Sequence, residues 1–307
     1  MARTRFPADA GLTSRMTLVM FLLGALFVAV FVGVLFYAQS VVLALLIGGG
    51  LLAAQYFGSD KIAMASMRAR EVTPEQAPKL HGIIDRLCAL ADMPKPRVAM
   101  SDTTVPNAFA TGRNEKHAVV CVTTGLMARL DESEVEAVLA HELSHIAHRD
   151  VMVMTIAGFL GMVAGLVLRF AYYSSLFGGG RQRDDNQGLP VVLVVMIGSV
   201  VVYAISFLLT RALSRYRELS ADRAAAVLTG RPATLASALT KVSGQMASIP
   251  TRDLRSAEPV SALLFAPALS GRGKGGPSLS AIFSTHPPLE QRLDQLARIE
   301  ADMGRSA

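Results

Sequence analysis

Four long apolar runs constrain this chain more than any other feature of its sequence. They cover residues 16–37, 41–57, 151–168 and 190–210, and none contains Asp, Glu, Lys, Arg or His. Each run is close to the ~20 residues that an α-helix needs to cross about 30 Å of hydrocarbon. Composition agrees, because 51% of the 307 residues are hydrophobic and 18% are charged. The sequence therefore predicts a polytopic membrane protein with about four transmembrane helices.

The first run could be a signal peptide, and the third and fourth runs could form a re-entrant hairpin. Residues 38–40 (Ala-Gln-Ser) follow the first run as a signal-peptidase site would, but the run is longer than a typical signal-peptide core and the second run begins almost at once. A helical hairpin is therefore the favoured interpretation of residues 1–57. The loop between the third and fourth runs carries Arg169, Arg181 and Arg183, so a re-entrant hairpin is an alternative to two complete crossings.

Basic residues cluster on one side of the predicted spans. They precede the first run and follow the second and fourth: Arg3, Arg5, Arg15, Lys61, Arg68, Arg70, Arg211, Arg215 and Arg217. The positive-inside rule then places both termini in the cytoplasm and the chain in the cell membrane. Because the runs carry no charge, a transporter is disfavoured. We attribute the net charge of +6 to basic residues that set the membrane topology and contact the lipid bilayer. No nucleic-acid partner is expected.

The polar segments predict one interrupted globular domain. Residues 58–150 form its first part and residues 211–307 its second, with the transmembrane or re-entrant hairpin at 151–210 between them. The predicted fold class is mainly α, with an α+β cytoplasmic domain that contains a small β-sheet.

Local patterns define the elements of this domain. Residues 73–91 have helical spacing, with Thr73 as the expected cap. Residues 96–100 and 117–123 are short β-branched runs joined by an extended segment, which predicts the sheet. Residues 270–278 are rich in Gly and predict a flexible loop, either a disordered linker or a mobile lid.

The strongest chemical signal is His141-Glu142-Leu143-Ser144-His145. On a helix the two histidines lie on one face and can share a zinc ion, and Glu142 is placed to act as the general base. The alternative is a surface helix that happens to carry histidines.

This histidine helix has a clear start. Asp131 and Glu134 form a capping-box pattern. No Gly or Pro occurs before Gly158, which predicts that the helix continues into the third apolar run.

A hydrolytic zinc ion needs a third protein ligand. His148 lies two turns from His141 and is assigned to the surface or to an indirect role. Glu218 is the better candidate, with Asp222 four residues on. Two carboxylates at this spacing repel each other unless a cation lies nearby; Asp222 could then orient a ligating imidazole. The alternative is a solvated face paired with neighbouring arginines.

Taken together, the motifs resemble the HtpX-like membrane zinc metalloproteases, gluzincins related to the CAAX prenyl proteases. The resemblance rests on HELSH (141–145), ELSAD (218–222), VPNAFATGR (105–113) and FSTHPPLEQR (283–292), in this order among four apolar runs.

This resemblance implies a zincin-type endopeptidase. One Zn²⁺ per chain would be held by His141, His145 and Glu218, with Glu142 as the catalytic base. It also implies a cytoplasmic active site, misfolded or damaged membrane proteins as substrates, and a role in quality control during stress. Oligomeric state is left open.

The resemblance further assigns Asn107, Ala108 and Phe109 to the rim of the cleft, where an edge strand can pair with extended substrate. An ordinary strand end is the alternative. His286 is expected to stabilise the transition state or act as a displaceable fourth ligand, unless it only begins a helix.

A different class of function competes with the protease. A fourth protein ligand would close the zinc site, and the chain would then be a catalytically silent membrane scaffold or chaperone.

Overall fold

The computed structural model describes residues 6–7, 9–37, 41–150, 153–154, 163, 188–246 and 286–306. Helices and strands are labelled in chain order: α1 Ala10–Tyr37, α2 Val41–Ser66, β1 Ala69–Glu71, α3 Pro78–Ala91, β2 Arg97–Ser101, β3 Ala108–Thr111, β4 Val119–Thr123, α4 Thr124–Arg129, α5 Glu132–Ala147, α6 Gly188–Thr229, α7 Pro232–Met246 and α8 Leu289–Ser306. The described chain is mostly helical with one small mixed sheet, which confirms that part of the predicted fold class.

Three of the four apolar runs lie on helices. The first is in α1, the second in α2 and the fourth in α6. The third run, with the loop that follows it, lies almost entirely outside the described residues. By length and composition, one helical segment among the described residues, Met196–Thr229, can cross a membrane, and Ala10–Leu26 is a shorter apolar segment.

The chain divides into two compact units. One consists of Met1–Thr13, Phe57–Met152 and Ser214–Ala307, and the other of Ser14–Tyr56 and Val153–Leu213. The second unit has a small apolar core built from Val19, Leu23, Val153 and Leu213. The first unit contains the sheet and every residue of the candidate site.

The sheet has the strand order β1-β2-β4-β3. Strands β2 and β4 are parallel, and the other two pairs are antiparallel. At the β3 edge, Asn107 accepts a hydrogen bond from the backbone N–H of Thr123 at 3.0 Å. Because hydrogen-bonded positions alternate in an antiparallel pair, the peptide groups of Ala108 and Ala110 point away from β4. Strand β3 therefore has an open edge, meaning that no other strand of the described sheet pairs with it on that side.

Helix α5 lies at the centre of the first unit and packs against α3, α7 and β3. All but four of its sixteen residues are buried. Its core positions Val135, Val138, Leu139 and Leu143 recur at helical spacing and join one hydrophobic cluster with α3 and α7. Burial on nearly every face fixes the rotation of α5, and with it the direction in which its histidines point.

Helix α3 begins later than its sequence pattern predicts. Residues 73–77 form a turn in which Ala77 N–H donates to Thr73 O and Thr73 N–H donates to Gln76 Oε1. Pro78 then occupies the start of the helix, where its fixed φ is suited and its missing N–H costs nothing. The predicted start, with Thr73 as the cap, was wrong by four residues, since Ala77 is the residue that precedes the helix.

The predicted continuation of α5 into the third apolar run was also wrong. The helix ends at Ala147, and Arg149 has a φ of 58°. This left-handed conformation is uncommon for a residue with a side chain, so composition did not reveal it. This helix break at Arg149 leaves the Asp150 carboxylate beside α5, where it contacts His145.

The start of α5 confirms the predicted capping box. Asp131 Oδ1 accepts the backbone N–H of Glu134 at 2.9 Å, and Glu134 Oε2 accepts the backbone N–H of Asp131 at 3.0 Å. Helix α6 ends at Thr229, and Gly230 follows it with a φ of 66°, a conformation that glycine adopts without strain. The Gly-rich segment 270–278 lies outside the described residues.

The capping box gives a stability prediction. Asp131→Ala should lower the free energy of unfolding by about 1 kcal/mol, because it leaves a helix N–H without its acceptor. Asp131→Asn should cost less, since the amide oxygen can still accept. Thermal unfolding in detergent measures both; equal midpoints for the two variants would contradict the role of the cap.

Candidate active site

Two helices bring together three groups that can bind a metal ion. His141 and His145 come from α5 and Glu218 from α6, and their ligand atoms lie within 4.8 Å of one another. Glu218 Oε2 is 3.5 Å from His141 Nε2, and Glu218 Oε1 is 3.5 Å from His145 Nε2. All three side chains are buried. Two imidazole nitrogens and one carboxylate form a donor set that is typical of catalytic zinc.

The charge balance of the site also fits a divalent cation. Four carboxylates and two guanidinium groups are buried around the cluster: Glu142, Asp150, Glu218, Asp222, Arg217 and Arg292. With neutral imidazoles, two negative charges are in excess. Unpaired charge inside a protein is costly, and a divalent ion would neutralise this excess.

The second carboxylate of α6 supports one of the histidines. Asp222 Oδ1 lies 2.9 Å from His141 Nδ1, on the ring nitrogen that does not face Glu218. A carboxylate in this position holds the ring orientation and makes Nε2 the nitrogen for the metal. The structure brings Asp222 to His141, and its role as an orienting residue stays a prediction.

Arg292 of α8 is a site residue that sequence reasoning missed. Its Nε donates to Asp222 Oδ2 at 2.7 Å and its Nη2 to Asp222 Oδ1 at 2.6 Å. Its Nη1 is 3.8 Å from Glu218 Oε2, and the side chain is 1% exposed. The repulsion expected between Glu218 and Asp222 is therefore relieved by this arginine. Its place in FSTHPPLEQR was the signal that could have found it.

Asp150 was also missed, because it follows the unpredicted break of the helix at Arg149. Its Oδ2 is 2.8 Å from His145 Nδ1, and Arg217 Nε is 3.2 Å from the same oxygen. Each metal-site histidine thus has its own aspartate, and each aspartate has its own buried arginine.

The pKa values of His145 and Asp150 reflect the charges buried around them. Burial alone would lower the pKa of His145, but hydrogen bonds to Asp150 and Glu218 outweigh it and raise that pKa to about 9. For Asp150, burial is outweighed by the Arg217 charge and the His145 contact, which lower its pKa. A proton on His145 thus supplies part of the positive charge that a metal ion would bring.

Glu142 occupies the position of a general base. Its Oε2 accepts the backbone N–H of Ala110 at 2.9 Å, which ties it to the open edge of β3. Burial raises the pKa of Glu142, and the two imidazoles and Ala110 N–H offset this only in part. A carboxyl group with a raised pKa is suited to taking up and releasing a proton.

The predicted rim residues offer backbone rather than side chains. Asn107, Ala108 and Phe109 are all buried, and Phe109 packs in a cluster with Val119 and Cys121. Their side chains are therefore not exposed, and a role of these residues in substrate binding stays a prediction that concerns the backbone of β3.

The two other histidines that were considered for the site, His286 and His148, have different surroundings. His286 is buried, with its Nδ1 3.0 Å from Glu218 Oε2. His148 lies apart from the cluster, with its Nε2 3.4 Å from Pro7 O and its ring beside Phe6.

Comparison with known proteins agrees with this site. The family model of peptidase family M48 matches residues 74–300. A protein named protease HtpX homolog 1, from Streptomyces coelicolor, is 56% identical over 304 residues, covering 99% of this chain and 98% of the relative. A protease HtpX homolog from Moorella thermoacetica is 51% identical over 307 residues, covering 98% of each chain.

A solved structure shares the fold. The crystal structure of S. mikatae Ste24p aligns with a TM-score of 0.50 and 17% identity, covering 94% of this chain and 66% of that one. At this identity the likeness concerns the fold alone.

Arg292 gives a testable consequence of the charge network. Arg292→Ala should destabilise the protein by about 3–5 kcal/mol, because it leaves buried carboxylates without their partner. Arg298→Ala, an exposed position on the same helix, is the matched control and should be neutral. Thermal unfolding in detergent tests both, and equal midpoints would show that the buried arginine is not needed.

Proposed function

The chain belongs to peptidase family M48 and is a metalloprotease; from this premise we propose a zinc-dependent membrane endopeptidase. It would hydrolyse peptide bonds of misfolded or damaged membrane proteins at the cytoplasmic side, in quality control and the stress response. One observation carries the proposal: Glu142, beside the buried His141–His145–Glu218 cluster, is hydrogen-bonded to the open edge of β3. The metal site, the base and a surface for extended peptide thus meet at one place.

The chain's own residues define most of the reaction. His141, His145 and Glu218 would hold the ion, which when bound polarises the scissile carbonyl and lowers the pKa of water to about 7. Glu142 takes the proton of the attacking water on its carboxylate and passes it to the leaving amine. Ala110 N–H holds that carboxylate in place. We assign to His286 a hydrogen bond to the developing oxyanion.

The open edge supports a broad substrate class. Apart from Ala110 N–H, which Glu142 accepts, the outward peptide groups of β3 can pair with any extended chain, because backbone hydrogen bonds are independent of side-chain identity. A folded protein has few such segments free, whereas a misfolded one exposes them. Unfolded polypeptide is therefore the substrate that this edge fits best.

The sequence supports a multi-pass arrangement in the cell membrane. Helix α6 is continuous from Gly188 to Thr229, so the apolar run 190–210 and Glu218 share one helix. Basic residues flank the apolar runs on the side that carries the site residues, and the positive-inside rule assigns that side, with both termini, to the cytoplasm.

Removing the base should separate metal binding from catalysis. Glu142→Gln should retain about one zinc per chain but lose at least ~100-fold in cleavage rate, because proton transfer contributes roughly 10²–10⁴-fold. Glu132→Gln, an exposed position on the same helix, is the control and should cleave normally. Metal analysis and cleavage of an unfolded substrate in detergent measure both. A chelator should stop wild-type cleavage, whereas zinc without cleavage by wild type would favour the silent scaffold.

The role of His286 is tested separately. If it supports the oxyanion, His286→Ala should keep its zinc while kcat falls by about 10²–10³-fold, the usual effect of removing one such donor. If His286 is a fourth ligand that closes the site, the same variant should lose zinc affinity instead. Zinc titration alongside kinetics distinguishes these outcomes.

A further inference from the structure

A cavity of about 370 Å³ opens beside the metal-binding cluster. Its wall is formed by residues 111–116, which include the turn after β3, by Ala118, and by His145, Ile146 and Arg149 at the end of α5. This volume lies in the range that holds a small ligand or a side chain. Because His145 forms part of the wall, the cavity adjoins one residue of the proposed zinc site.

The cavity wall is basic. It contains Arg113, Lys116 and Arg149 against the single acid Glu115. Glu115 Oε1 is 3.1 Å from Arg149 Nη2, and this ion pair neutralises both groups. Lys116 makes no ion pair with any described residue, and the guanidinium of Arg113 lies 5.4 Å from the centre of the Phe57 ring. Two cations are thus left without a carboxylate partner in the wall.

The cavity lies at the end of strand β3, whose last residue, Thr111, forms part of its wall. Ala110 N–H contacts Glu142, which marks the place of bond cleavage on β3. Gly112 and Arg113 lie two and three residues further along, about 7–10 Å at ~3.3 Å per residue. A side chain two or three residues from the cleaved bond, on an extended chain beside β3, would therefore reach the cavity.

We propose that this cavity is a substrate subsite that selects a side-chain carboxylate, Asp or Glu, two or three residues from the cleaved bond. The inference rests on the proposed peptidase function and adds a preference to it. An anionic lipid headgroup would also suit two cations. The peptide is favoured, because the cavity lies at the end of the strand edge and shares His145 with the catalytic cluster.

The test uses full-length detergent-purified protein with zinc and unstructured peptides that differ at one position. Glu, Gln or Lys is placed two or three residues from the cleaved bond, on either side, and kcat/KM is measured. At one of these positions wild type should prefer Glu to Lys by about five- to tenfold, as expected for one or two exposed ion pairs. The preference should shrink at high salt, because salt screens exposed charges.

Charge reversal provides the matched variants. The double variant Arg113→Glu with Lys116→Glu should invert the preference, so that Lys peptides are cleaved faster than Glu peptides. Arg298→Glu, an exposed arginine of α8 outside the cavity, should retain the wild-type preference. Because the salt dependence needs no substitution, it tests the subsite even if the double variant is unstable.

The outcomes separate the two proposals. If wild type cleaves Glu and Lys peptides equally at every position, the subsite is disproved and the peptidase stands. If wild type cleaves no peptide, both proposals fail. Vesicles containing about 30% phosphatidylglycerol are the lipid probe. Loss of vesicle binding in the double variant with no change in peptide preference would assign the cavity to lipid and overturn the subsite.

Discussion

The pairing of buried carboxylates with buried cations is the interaction on which the rest of this structure depends. Asp222 is held by both nitrogens of the Arg292 fork and contacts His141. Asp150 contacts Arg217 and His145 in a similar way. An ion left unpaired in a protein interior costs several kcal/mol. Neither α5 nor the site-bearing part of α6 can therefore be buried as observed unless these partners are in place.

The same pairing determines which ring nitrogen of each histidine faces Glu218. Each aspartate lies at the Nδ1 of its histidine, so both Nε2 atoms face the carboxylate of Glu218. The excess of two negative charges that remains is what a divalent ion would neutralise. Glu142 lies outside these pairs and is anchored by the peptide group of Ala110 instead. The candidate metal ligands and the proposed general base are thus stabilised by different partners.

Much of the site could be predicted because its signals are local. His141 and His145 lie four residues apart on a helix whose start is marked by its own capping box, and helical geometry alone places them on one face. Glu218 and Asp222 show the same spacing. The break of the helix at Arg149 could not be predicted in this way, because no Gly or Pro marks it. Asp150 was missed for that reason.

The sequence by itself determined the apolar runs, the small sheet, the peptidase motif and the candidate ligands, since each depends on composition or on spacing within one element. Only the tertiary structure decided which charges neutralise one another. Arg292 and Asp222 are 70 residues apart, and the whole 151–210 segment separates Asp150 from its partner Arg217. No periodicity links residues at such distances. Their partners are selected by the packing of helices, because a buried charge is stable only where an opposite charge is brought to it.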